Sequence, residues 1–114
     1  MDQRLQTVLE DIHHINSINN HKRLLKEQFY EAITVYYNGG KFTANTSFIA
    51  FLDVIDNHNI TVITDDNDIP VELNDVPAFK TLVLETYKTA TEVYYKQYET
   101  AVANSRSVEE MLSL

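Results

Sequence analysis

Ile60-Thr61-Val62-Ile63-Thr64-Asp65-Asp66-Asn67-Asp68-Ile69-Pro70-Val71-Glu72-Leu73 is the stretch that separates this chain from an all-helical protein. Ile60 to Thr64 is rich in β-branched residues, which fit a pleated strand. Asp65-Asp66-Asn67-Asp68 supplies turn residues, and Ile69 to Leu73 returns. Pro70 stands early in the second run, where a missing N–H does least harm. The stretch predicts a β-hairpin over 60–73, with Ile60 and Val62 sharing a face with Ile69, Val71 and Leu73. A lone two-stranded hairpin is marginal in water, so it must lie on a helix or pair with a second copy.

The flanks of this hairpin read as helix. Asn45 or Thr46 can cap a short helix over 46–58, in which Phe48, Ile49, Phe51, Leu52, Val54 and Ile55 recur at helical spacing. Asn74 or Asp75 can cap a long helix over 76–104, with Pro77 in its first turn. Phe79, Val83, Tyr87, Ala90, Tyr94, Tyr98 and Ala101 fall on one stripe of it. Glu85, Lys88, Glu92, Lys96 and Glu99 fall opposite, as a ladder of weak ion pairs. Leu84, Tyr95 and Val102 form a second, narrower apolar line, which predicts a neighbour from another subunit. Ser107-Val108-Glu109-Glu110 matches a capping box and predicts a separate short helix over 108–113.

A helical arm over 2–38 comes first. Leu5, Val8, Leu9, Ile12 and Ile15 form one stripe; Ile18, Leu25, Phe29, Ala32, Ile33 and Tyr36 form another, offset by roughly 120° at 100° per residue. The arm is either two helices with a bend near Ser17–His21 or one helix winding around its partner, with one long helix preferred. Gly39-Gly40 is expected to end it, because glycine takes the left-handed cap without steric cost. The fold class is therefore mainly helical α+β: two long antiparallel helices, a short helix and a β-hairpin. At 114 residues, the length predicts a single domain.

The hairpin also lies in the most charged part of the chain. Seven acidic residues and no Lys or Arg lie between Phe42 and Phe79, against a net charge of -8 for the whole. Asp65, Asp66, Asp68 and Glu72 make the hairpin end the candidate seat for a basic protein partner. The acidity argues against nucleic acid, which needs clustered Lys and Arg. The one basic cluster, His21-Lys22-Arg23 with Lys26, reads as a solvated helix face.

Catalytic and metal chemistry find little support. The absence of cysteine removes thiol catalysis, disulfides and thiolate sites. The acidic turn lacks the glycine and distant glutamate of a calcium loop. No histidine pair stands at i, i+4, and no glycine-flanked serine or phosphate loop is present. Neither an enzyme activity nor a cofactor is expected. No run of eighteen apolar residues occurs, so no membrane span is expected. Met1-Asp2-Gln3-Arg4 does not open a secretory signal, and a cytoplasmic setting follows as the expectation.

The acidic and apolar ending, with Met111, Leu112 and Leu114, has the composition of a tail that docks in a groove. It loosely resembles the C-terminal tails by which replication and transcription factors engage sliding clamps. A wider resemblance rests on Tyr36-Tyr37-Asn38-Gly39-Gly40-Lys41-Phe42, on Phe51-Leu52, and on Ile63 through Val71. Tyr94-Tyr95-Lys96-Gln97-Tyr98-Glu99 and Ser105-Arg106-Ser107-Val108-Glu109 extend it. In these segments the chain resembles small uncharacterised proteins of contractile-tailed marine phages, notably those of cyanobacteria. The resemblance implies a viral origin and expression in a bacterial host, and it assigns no functional residue. The resulting expectation is an interaction or assembly protein that forms homo-oligomers, with a regulator of a basic protein surface as the alternative.

Overall fold

The computed structural model describes the backbone of residues 3–112 and the side chains of 3–13 and 19–104. In chain order the elements are α1 (Gln3–Ala32), β1 (Thr34–Tyr37), β2 (Gly40–Thr43), α2 (Thr46–Asn57), β3 (Val62–Thr64), β4 (Pro70–Glu72) and α3 (Val76–Leu112). The protein is a mainly helical α+β chain with two separate antiparallel hairpins. It divides into two compact units. One is continuous, Phe29–Glu92, and is called here the core unit. The other, the helical unit, takes α1 up to Gln28 and α3 from Val93.

The first arm departs from expectation. Its helix ends at Ala32, and Thr34–Tyr37 is a strand paired with Gly40–Thr43 in the register Thr34↔Thr43, Val35↔Phe42, Tyr36↔Lys41, Tyr37↔Gly40. The two-residue loop is Asn38-Gly39, with φ of 48° and 81°. Positive φ at both loop residues matches the turn whose twist suits a hairpin, and Asn-Gly is its preferred sequence. Gly39 therefore turns a hairpin instead of closing a helix. Gly40 is a strand position with no room: a Cβ there would lie 2.6 Å from Val71 Cγ2. Upstream of Ala32, α1 is continuous through Asn16–Asn20.

The middle of the chain follows its local signals closely. The Asn45 side chain accepts from the Phe48 N–H at 2.8 Å and caps α2. Leu52 and Ile55 are its buried residues. In the second hairpin Val62 pairs with Glu72, Ile63 with Val71 and Thr64 with Pro70. The buried face is Ile63 with Val71, whereas Val62 faces solvent with Glu72. That is the opposite face of the first strand from the expected one. Side chains alternate, so a shift of one residue exchanges the two faces.

Asp75 caps α3, accepting from the Ala78 N–H at 3.1 Å. The helix then runs 37 residues to Leu112, through Ser107, so the separate helix over 108–113 does not form. No glycine or proline follows Pro77 to interrupt it, and a capping-box pattern without a preceding breaker does not start a helix.

The core unit is built around aromatic rings. Phe79 of α3 meets Tyr37, Phe42 and Phe48 at centroid distances of 4.9, 5.2 and 6.1 Å. Ile33, Val35, Leu52, Ile55, Ile63, Val71, Leu73 and Val83 complete the packing. Both hairpins thereby gain the apolar backing that an isolated hairpin lacks.

In the helical unit α1 and α3 lie beside each other. The Lys22 ammonium sits 5.8 Å from the ring centre of Tyr98. His21, Leu25 and Gln28 of α1, with Lys96, Thr100 and Ala101 of α3, line an open recess. Leu25 is the only buried apolar side chain of this unit among the described residues.

Candidate functional site

The end of the second hairpin was the expected partner surface, and its four acidic residues have unequal roles. Asp65 is 6% exposed. Its Oδ2 accepts from the Lys41 N–H at 3.0 Å, and its Oδ1 accepts from Asn67 and Ile69 N–H at 2.9 and 2.8 Å. The Lys41 amide holds the Asp65 carboxyl below the usual carboxylate range; burial opposes this and the Ile69 and Asn67 amides assist. Asp65 is therefore a structural clamp, and its removal from the set of partner-facing residues corrects the expectation. With its oxygens aimed at three amides, the turn is not arranged as a calcium loop either.

Asp66 divides its bonding. Its N–H donates to the Lys41 carbonyl at 2.9 Å, and its Oδ2 accepts from the Thr43 hydroxyl at 2.6 Å. Asn38 Nδ2 donates to the Glu72 carbonyl at 2.9 Å. These bonds fasten the second hairpin to the first. Asp66 remains exposed, as do Asp68 and Glu72. Asp68 holds a φ of 61°, a left-handed conformation that a short polar residue tolerates in a turn.

The remaining acids of the segment have local partners. Lys80 of α3 pairs with Asp53 of α2 and lies 3.9 Å from Asp56. The bond to Asp53 pushes the Lys80 ammonium up from its ordinary value, against the effect of burial. A lysine just beyond the segment thus offsets two acids that have none within it. Asp75 is spent on the α3 cap. What faces solvent on the hairpin side is Asp66, Asp68 and Glu72.

The residues of the expected oligomer line all lie on α3. Leu84 is exposed in the core unit; Tyr95 is exposed and Val102 half-buried in the helical unit. A hydrogen bond with Glu99 pushes the Tyr95 phenol up from its ordinary value. Of the expected docking tail, Leu114 lies outside the described residues, and Met111 and Leu112 lie on α3 where side chains are not described.

A surface that residue patterning marked only as a stripe now stands out. Leu5, Val8, Leu9 and Ile12 of α1 are exposed to 50, 51, 47 and 49%. The signal was present as the offset between the two apolar stripes of one helix: a single neighbour cannot cover both.

Among the described residues, no three His, Asp or Glu side chains come together as a metal site, and no helix is long and apolar enough to cross a membrane. Compared with protein-family models, curated proteins and solved structures, the chain matches none.

Proposed function

We propose that this protein is a non-enzymatic assembly protein that works as a homo-oligomer, with the helical unit as its joining part. One observation carries this. Thirteen buried apolar residues form the core cluster, all between Ile33 and Ala90. The helical unit buries Leu25 alone among its described residues, while Leu5, Val8, Leu9, Ile12, Leu24, Val93 and Tyr95 stay exposed. A pair of helices with so little shared core gains its stability from further packing, because an isolated helix in water is marginal. The phage resemblance adds a setting, the cytoplasm of a bacterial host. Light scattering over a concentration series tests the proposal. The expected result is a mass above one chain that grows with concentration; a single-chain mass throughout removes it.

A second reading has its own support. The core unit holds ten acidic and three basic residues, a net of -7 out of -8. Asp66, Asp68 and Glu72 are its exposed acids at the hairpin end, and a basic protein surface suits them. Replacing these three by Asn, Asn and Gln is expected to abolish capture of such a partner while leaving oligomer mass unchanged. Unaltered capture counts against this second function.

A further inference from the structure

The recess between α1 and α3 lies wholly within the helical unit and has a volume of about 400 Å³. Leu25 and Ala101 are its apolar lining; the other side chains on it are polar. None of them is acidic, although the chain carries a net charge of -8. The helix period accounts for this. His21, Leu25 and Gln28 share about 60° of α1, and Lys96, Gln97, Ala101 and Asn104 share about 140° of α3. Glu27 and Glu99 point about 130° away from those two faces.

The polar lining is unspent. Lys96 makes no ion pair among the described residues, and Glu99, three positions on, bonds to Tyr95 instead. The side chains of His21, Gln28, Gln97 and Asn104 make no hydrogen bond among the described residues. The Thr100 hydroxyl, by contrast, donates to the Lys96 carbonyl at 3.0 Å. Lys22, from the same basic cluster as His21, sits over the Tyr98 ring.

We propose that this recess binds a small organic phosphate, a phosphate monoester on a hydroxylated body. This binding does not depend on the oligomer reading. The Lys96 ammonium takes phosphate as a point charge, and His21 adds a ring N–H. A phosphate monoester has three terminal oxygens and a charge of about -1.5 to -2, so it uses both groups, where a carboxylate is served by one. The amides of Gln28, Gln97 and Asn104 both donate and accept, as hydroxyl groups on the body require. Leu25 and Ala101 take the carbon face of that body. The volume falls within the range of about 300–1,000 Å³ of small-molecule sites, and bare phosphate would leave the amides and Leu25 unused. A nucleoside monophosphate and a sugar phosphate share this chemistry. The recess is open to solvent, so the expected Kd is on the order of 0.1 mM.

Amide chemical shifts of the isotope-labelled full chain test this. The chain is titrated with adenosine monophosphate, glucose 6-phosphate, adenosine and inorganic phosphate, each up to about 10 mM. At least one ester should saturate, with its largest shifts at residues 21–28 and 96–104, and which one saturates identifies the body. Adenosine and inorganic phosphate should each bind about tenfold more weakly or worse. Lys96→Gln should weaken the ester roughly tenfold or more. Lys88→Gln removes the same charge from α3 outside the recess and should bind as the wild type does. Lys88 and Lys96 are both exposed, so the rest of the spectrum should stay unchanged in both variants. No saturable shift with either ester overturns the site. Equal weakening in Lys88→Gln overturns it too, by making the effect one of net charge. Adenosine or inorganic phosphate binding as tightly as the ester overturns the phosphate monoester as its ligand.

Discussion

The core unit and the helical unit use apolar residues in opposite ways. Between Phe29 and Glu92, short elements surround one centre, and Phe42, Leu52, Ile55, Phe79 and Val83 lose almost all contact with water. In the helical unit, two long helices share one buried apolar residue among those described, Leu25. Hydrophobic content alone does not make a core. What matters is whether the elements can surround their apolar faces, and a pair of helices leaves at least one face open.

The sharpest way to break this contrast is to cut a ring from the core unit. Phe79→Ala removes contacts with Tyr37, Phe42 and Phe48 and should cost about 3–5 kcal/mol in urea unfolding. Ile12→Ala, on the open stripe, should leave dilute-protein stability nearly unchanged. Equal losses at the two positions would erase the distinction between the units.

Next in size is Gly40→Ala. The added methyl meets Val71 Cγ2 at 2.6 Å and Phe42 Cε2 at 3.0 Å. Overpacking of this kind costs about 1–3 kcal/mol. Gly39→Ala meets no atom within 4 Å, but its φ of 81° should cost about 1 kcal/mol. The thermal midpoints should rank accordingly, and the reverse order would contradict the packing of the first hairpin against Val71.

The Asp65 clamp gives a pH-dependent test. Its carboxyl ionises more readily in the folded chain than in the unfolded one. Its contribution is therefore full above the unfolded value of about 3.9 and is lost as pH falls through the lower folded value. The urea midpoint of Asp65→Asn should lie below that of the parent at about pH 6, and the gap should narrow towards about pH 3. A gap that does not vary with pH would mean that the charge on Asp65 does not hold the hairpins together. The smallest effect belongs to Lys80→Met. Lys80 is 28% exposed and Asp53 56%, and so solvated a pair contributes little and fades in salt.

Much of this architecture is legible in local punctuation. Asn45 for α2, Asp75 with Pro77 for α3, and the Asp65–Asp68 turn each sit where the chain changes element. The first hairpin was obscured by coincidence. Phe29, Ala32, Ile33 and Tyr36 happen to continue a helical spacing across the point where α1 ends. The competing signals, β-forming Thr34 to Tyr37 and the Asn38-Gly39 turn, were the stronger ones. The clamp was not legible at all, since the Lys41 amide reaches Asp65 from 24 residues away. Nor was the status of the Leu5–Ile12 stripe, because a periodic pattern shows that a face is apolar without showing what lies against it.

The division of the chain also sets a timetable. The core unit is a single run from Phe29 to Glu92, and each hairpin joins residues near in sequence. It can fold as soon as that run leaves the ribosome. The helical unit joins the two ends and cannot be completed until residues beyond Val93 have been made. Leu25 meets its α3 neighbours only then. The part proposed to join copies is thus the last to be finished, so each protomer folds its centre before it has a complete unit to offer a neighbour.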